Sequence, residues 1–450
     1  MKAVVVGGGL AGLAATLELA EAGAETTLLE ARPRLGGATF SFERDGRTLD
    51  NGQHVALRCC TEYLAFLERI GAADRLPVQR RLRVPVLRPG KPPARLARNG
   101  LPAPLHLAGT LLRYAPLSLA ERLAAVRAAA AMRSLDPDDP ALDRRTFADW
   151  LREHGQSQRT IEALWDLICL PTVNLPAEEA SLAAAARVFR TGLLDAADAC
   201  DLGVPAVPLA DLHAAPAAEA LRAAGARVET GAAVRAVRCE GQRLEVALDD
   251  ETIAADAVVA AVPHTAAARL LPEGAVDAGA LERLGTSPIV NLHVHYDRRV
   301  LDEPFAAALD SPLQWLFDRT ASSGVTEGQL VAVSLSHAVG DIDASVAEIR
   351  ERYLPELERL LPAAREARVL DVAVTHEPRA TFRAGPGSRA LRPGARTGVP
   401  GLYLAGAWTD TGWPATMEGA VRSGVAAARA ALEESRTRYS SAVPGTGVSA

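Results

Sequence analysis

The apolar positions change period along the first thirty residues. Residues 2–6, KAVVV, form a near-continuous apolar run, as a parallel strand buried on both faces requires. From Leu10 the spacing becomes helical, with Leu10, Leu13, Ala14, Leu17 and Ala20 on one face and Gly23 closing the segment. A second strand covers 25–29 and ends at Glu30. TFSFERDGRTLD then predicts a hairpin, 39–43 and 47–49 around an Asp45-Gly46 turn. Residues 77–104 hold several prolines, seven basic residues and no acid, and predict short strands and loops. An apolar stretch with spaced arginines follows at 105–133, whose second half, 119–132, predicts an amphipathic helix. After a turn-rich break at 136–140, helices are expected near 146–153 and 160–170, a loop over 171–176, and another helix over 177–194.

Further on, the pattern predicts a helix over 211–224 and strands at 233–239, 243–248 and 257–261. Residues 264–390 return to mixed strands and helices, and period two puts Asn291, His293 and His295 on one strand face. A buried strand ends at Gly406, Thr416 is set to cap a helix running to about residue 433, and 436–450 are small and polar, as in a disordered tail.

Composition narrows the picture. With 450 residues and 48% hydrophobic content the chain can bury a large core, enough for two domains. The net charge of −6 argues against a nucleic-acid partner. No run of 18 uncharged apolar residues exists, and Met1-Lys2 opens on too short an apolar segment for a signal peptide, so a cytoplasmic protein is expected. The five cysteines form no CxxC and read as reduced thiols, and no metal site is expected. Lys2 and Lys91 are the only lysines, which removes most candidates for a catalytic amine.

The strongest chemical signal is Gly7-Gly8-Gly9-Leu10-Ala11-Gly12, a G-x-G-x-x-G between strand and helix. Gly7 makes the tight turn, Gly9 lets backbone approach a pyrophosphate, and Gly12 lets helix and strand pack closely. Leu10 and Ala11 open the helix, whose free N–H groups and dipole favour an anion. Glu30, 18 residues past Gly12, can accept from a ribose hydroxyl.

The continuation Glu30-Ala31-Arg32-Pro33-Arg34-Leu35-Gly36-Gly37 resembles the E-A-x-x-x-x-G-G stretch of the flavin-dependent amine oxidase and carotenoid desaturase superfamily. The resemblance implies FAD as cofactor. It also implies an α/β (α+β overall) fold: a Rossmann-like FAD-binding domain interleaved with a substrate domain of mixed sheet and helices, amine-oxidase-like. Ala31, Arg32, Gly36 and Gly37 would adjoin the nucleotide. Many members carry Arg where this chain has Ala38, so a phosphate contact is either lost or supplied by Arg32. In the superfamily the segment matching Asp50-Asn51-Gly52-Gln53-His54 passes beside the isoalloxazine, and the one matching Val234 contacts adenine. The M-E-G-A helix start, with Thr416, Met417 and Ala420, faces flavin N1 and O2. Ala407, after Gly406, departs from the Asp or Glu usual there. From the residues alone, Asp50 and Asn51 also suit a turn, and His54 a structural histidine.

DNGQH, the PLHL at 104–107, the W-x-L-x-x-L-P-x-x-N from Trp165 to Asn174, and TDTGWPATMEGAVRSG at 409–424 together resemble the squalene-associated, desaturase-like flavoproteins of bacterial hopanoid pathways, the hydroxysqualene dehydroxylases. That resemblance implies reductive removal of an allylic hydroxyl by hydride from reduced flavin N5, giving squalene. It implies an apolar isoprenoid substrate (hydroxysqualene) and an electron donor for FAD such as NAD(P)H. His54 is then the first proton-donor candidate, Asp50 the second, and Trp413 lies beside the flavin. Residues 77–104 suit a solvated Arg-rich surface and the 119–132 helix a substrate-domain helix packed on its core; the alternative is peripheral contact with the inner face of a membrane at 77–133, an entrance suited to an apolar C30 substrate. A carotenoid or phytoene-type desaturase and an amine oxidase stay open on the same scaffold, as does a non-catalytic flavin-folded protein. The expected division is 1–76, 200–263 and 395–435 for FAD, 77–199 and 264–394 for substrate, and 436–450 as tail.

Overall fold

A computed structural model of the chain describes residues 1–240 and 243–442. Two sheets organise an α/β structure. The first has five strands, all parallel, in the order Leu402–Leu404, Ala257–Ala260, Lys2–Val6, Glu25–Glu30, Arg227–Thr230. Lys2–Val6 lies at its centre, which is why its apolar run has no polar alternation. The helix Leu10–Glu21 buries nearly every side chain, and the last helix, Met417–Ala442, packs against it through Val421, Val425, Ala427 and Ala428. Gly424 makes the close approach, since a Cβ there would stand 2.0 Å from the Ala11 carbonyl oxygen. Between Arg227–Thr230 and Ala257–Ala260 the chain inserts an antiparallel sheet of Ala236–Glu240, Arg243–Ala247 and Thr252–Ala255.

The second sheet has seven strands, in the order Val369–Phe382, Thr286–Tyr296, Gln329–Ser336, Trp315–Asp318, Phe305–Ala308, Arg83–Arg88, Lys91–Ala97. Lys91–Ala97 is an edge, where Pro92 and Pro93 can lack a donor without breaking a ladder. The hairpin Ser41–Arg44 and Arg47–Asp50 forms as expected, with Asp45 and Gly46 both at positive φ. It hands the chain to the segment Asp50–His54 between the two sheets, as its bonds to both sides show below.

Several expectations change. The helix expected over 160–170 continues through Pro171 to Val173 after one wide turn at Ile161–Trp165, so the 171–176 loop is shorter. A proline costs one backbone bond, and termination comes instead from Asn174 at φ 57. The helix expected over 177–194 starts later: Ser181 caps Leu182–Phe189, and a wide turn at Arg190–Leu194 follows. The last helix carries on through 436–442, which were expected to be tail, and 443–450 lie outside the described residues. The run AAARAALEESRTR, strong in helix-forming side chains, has no breaker to stop it at 433.

Candidate active site

The glycine turn is built for close backbone approach. Gly7 sits at φ 107, and a Cβ there would fall 2.4 Å from the Ala261 oxygen. A Cβ on Gly12 would fall 1.8 Å from the Gly7 oxygen, so no side chain is tolerated where helix meets turn. Gly36 donates its N–H to the Gly8 carbonyl at 2.9 Å, and a Cβ on Gly37 would meet the Gly9 Cα at 2.7 Å. Two glycine segments thus cross, as the sequence suggested. Leu10 and Ala11 turn their side chains into the core, and Gly9 supplies no side-chain cap. The first-turn N–H groups are what this corner offers a ligand. Glu30 accepts from Gly8 N at 2.6 Å and Arg32 N at 2.8 Å, leaving each oxygen further acceptor capacity. Ala31 and Arg32 are exposed beside it. Gly231 and Ala232 donate to the carbonyls of Arg32 and Glu30, which brings the half-buried Val234 alongside. An uncapped helix start, a glycine cradle and a ribose acceptor fit an adenine dinucleotide.

The second helix start lies across from it. Thr416 accepts from Gly419 N at 3.1 Å through its hydroxyl, the expected cap. Ala420 N–H is spent on the Thr416 carbonyl, so the donors left open among the described residues are those of Met417 and Glu418. The Glu418 side chain turns away, accepting from Tyr63 N at 2.7 Å and Glu62 N at 3.3 Å at the start of the helix Thr61–Arg69, with Arg422 at 2.6 Å. Gly406 (φ 140) donates to Ser423 Oγ at 2.7 Å and has no room for a Cβ beside Trp408.

The turn from Ala407 to Trp413 is held by a residue the sequence reading did not single out. The Arg392 guanidinium donates to the carbonyls of Ala407 (3.2 Å), Trp408 (3.2 Å), Trp413 (2.9 Å) and Thr409, and stacks over Phe382. Burial lowers its pKa to about 10. It supplies order at the position where Ala407 replaces the usual acid. Trp413 itself lines a small cavity of about 30 Å³ with Phe382, Pro414, Arg389 and Arg392, and Arg422 lies over its ring at 5.2 Å.

The third wall is DNGQH. Asp50 is buried and every bond it makes is one it accepts: from Ser41 Oγ (2.7 Å), Leu209 N (2.9 Å) and Arg319 Nη2 (2.9 Å). Donors from three directions thus hold the Asp50 carboxyl between the hairpin, Leu209 and Arg319. Asn51 is equally engaged, accepting from Phe40 N and donating to the Ala38 carbonyl and Glu377. Asn291 and the Thr375 hydroxyl both donate to its carbonyl. Gly52 leaves only 3.3 Å between a Cβ and the Asn291 amide. His54 Nδ1 lies 3.3 Å from the Gly52 carbonyl, and burial holds the imidazole below its ordinary pKa, with Arg319 adding to this and Asp50 opposing it. His293 is buried and lowered to about 4, chiefly by burial. His295 instead bridges Arg47 and the Glu327 carbonyl. Among the described residues no group of three or more His, Cys, Asp or Glu is placed to hold a metal, and Cys59, Cys60, Cys169 and Cys200 are free thiols. Asn174 ties the helices to the large sheet through Ser287, Thr381 and His337.

With this geometry in view, the likenesses to known proteins are informative. The profile of flavin-containing amine oxidoreductases matches residues 10–432. A hydroxysqualene dehydroxylase of Rhodopseudomonas palustris is 30% identical over 444 residues, 96% of this chain and 98% of the relative. A probable zeta-carotene desaturase of Synechococcus elongatus is 25% identical over 476 residues, 96% and 99% of the two chains. The fold matches that of an oxidoreductase from Methanosarcina mazei, with a TM-score of 0.74 at 19% identity over 96% of this chain and 100% of that one. The chain belongs to the flavin-containing amine oxidoreductase family, an oxidoreductase with FAD as its cofactor.

Proposed function

We propose that the protein reductively removes the hydroxyl of hydroxysqualene to give squalene. The observation that carries this reading is the similarity to hydroxysqualene dehydroxylases over 96% of this chain. When bound, reduced FAD would supply the hydride that, with a proton, replaces the allylic C–O bond by C–H and releases water. The chain's own residues do the rest. Gly7, Gly9, Gly12, Gly36 and Gly37 admit the pyrophosphate, and Glu30 holds the ribose. Met417 and Glu418 present N–H groups where negative charge on the ring is favoured. Trp413 lies beside the flavin in this reading, with Arg422 over its ring. His54, steadied through Nδ1 by Gly52, protonates the leaving hydroxyl. Because burial holds its pKa down, turnover should rise as pH falls toward and below 6.5. Residues 1–76, 200–263 and 395–435 form the FAD-binding part in this reading, and 77–199 and 264–394 the substrate part. A donor such as NAD(P)H restores reduced FAD, and the protein works against a membrane surface.

The near-full-length similarity to carotene desaturases favours a second reading, in which hydride leaves an apolar polyene for oxidised flavin. Incubating reduced holoenzyme with hydroxysqualene, and oxidised holoenzyme with phytoene or a polyamine, separates them. Squalene supports the dehydroxylase; a longer conjugated polyene or hydrogen peroxide overturns it.

A further inference from the structure

Among the described residues eight large hydrophobic side chains are exposed, and five of them, Leu101, Leu105, Leu112, Leu119 and Leu123, fall in one short segment. Leu105 and Leu112 belong to the helix Leu105–Leu112, and Leu119 and Leu123 to the helix Leu119–Met132. Exposure is large, 54% for Leu105 and 63% for Leu119, where scattered single leucines would call for no comment. The first helix rests on the edge strand Lys91–Ala97: Thr110 Oγ1 donates to the Arg95 carbonyl at 3.0 Å and accepts from Ala97 N at 3.1 Å. Arg122 joins the two helices by donating to the carbonyls of Leu117 and Leu112. Leucines and edge strand therefore share one surface.

The charge of that surface is opposite to the molecule's. Residues 77–133 hold eleven Arg and Lys and a single Glu, a local +10 in a chain whose net charge is −6. The lone acid, Glu121, is turned inward on its own helix start, bonded to Ser118 and Ser157. Arg80, Arg81, Arg95, Arg113, Arg127 and Lys91 are exposed. Arg83 and Arg98 pair with Glu303 and Asp201 from outside the segment, and the exposed leucines with the remaining exposed cations match an interface with acyl chains below and anionic headgroups beside them. A partner protein with an apolar face would not call for this one-sided charge.

We propose that the face carrying Leu101, Leu105, Leu112, Leu119 and Leu123 seats this protein on anionic lipid bilayers. The inference stands on the surface alone and holds whichever isoprenoid the flavin site takes.

Co-sedimentation of the FAD-loaded protein with vesicles tests it, using phosphatidylcholine alone and phosphatidylcholine mixed with phosphatidylglycerol. Binding to the mixed vesicles, weakened by salt, is expected. Arg113→Gln with Arg127→Gln should lower the partition coefficient roughly thirtyfold, at about a factor of five per cation. Leu105→Ser with Leu119→Ser should lower it at least about tenfold. Both double variants should keep wild-type flavin absorbance, because these side chains point away from the core. Equal binding to neutral and anionic vesicles, or wild-type binding by both variants, overturns the proposal. So does a concentration-dependent dimer that the leucine variant dissolves, which would make a second copy the occupant.

Discussion

Gly424→Ala should weaken FAD binding although residue 424 is expected to touch no part of the nucleotide. A Cβ at 424 would lie 2.0 Å from the Ala11 oxygen, 2.9 Å from its carbonyl carbon and 3.1 Å from Ala15 N. A relaxed carbon–oxygen contact is about 3.4 Å, so the two helices must part by more than about 1 Å. All three neighbours are backbone, and no rotamer can swing clear. Overpacking of this kind costs about 1–3 kcal/mol, and the upper half of that range applies to a rigid pair. The helices carry the two N-termini proposed to hold opposite ends of the cofactor, so the displacement falls on their spacing. The FAD dissociation constant should rise at least about tenfold, the equivalent of 1.4 kcal/mol. Titrating apoprotein with FAD and following flavin fluorescence reads this directly, and urea midpoints give the fold's share. Gly340→Ala, where nothing lies within 4 Å of the added Cβ, is the control and should match wild type. If Gly424→Ala bound FAD within twofold of wild type at an unchanged urea midpoint, the close helix contact would not set the site.

Other consequences can be checked separately. Glu30→Gln keeps an acceptor but trades a charge-assisted bond to Gly8 for a neutral one, and FAD affinity should fall about tenfold by the same titration. Arg392→Lys cannot span four carbonyls with one ammonium; about 2–4 kcal/mol of stability should be lost in urea unfolding, with a shifted visible flavin spectrum. His293 has a folded pKa near 4 against about 6.5 unfolded, so the unfolded state takes up more protons and stability falls as pH drops below 6.5, by about 2 kcal/mol at pH 5. In His293→Leu the pH 5 and pH 7 urea midpoints should draw together. His54→Gln should bind FAD normally yet lose at least about a hundredfold in turnover and its acid-side pH dependence; full turnover removes His54 as the acid.

The nucleotide corner was legible because its signals are local. Strand, glycines, helix, second strand and Glu30 follow within thirty residues, and each leaves its own pattern. The same holds for the Asp45-Gly46 turn. What the sequence concealed lies in contacts between distant segments. Arg319 meets Asp50 across 269 positions, and nothing in either neighbourhood announces the pair. Read alone, the stretch around Asp50 shows no sign of the guanidinium that meets it. Arg392 is one of many arginines in the chain, and the four carbonyls it gathers have no side-chain signature. Helix ends were misjudged where a single marker was trusted: Pro171 did not break its helix, while Asn174 did.

The strand order also dictates a schedule. Lys2–Val6 is synthesised long before its neighbour on one flank, Ala257–Ala260, and that strand in turn waits for Leu402–Leu404. At typical synthesis rates about 400 residues take roughly 20–80 s, during which the apolar centre of the sheet has an open edge. Only when Met417–Ala442 lies down on Leu10–Glu21 do both helix starts exist together. Cofactor capture is therefore a late event in this protein's making, and a nascent chain interrupted before the last helix exposes a sticky sheet with no flavin to steady it.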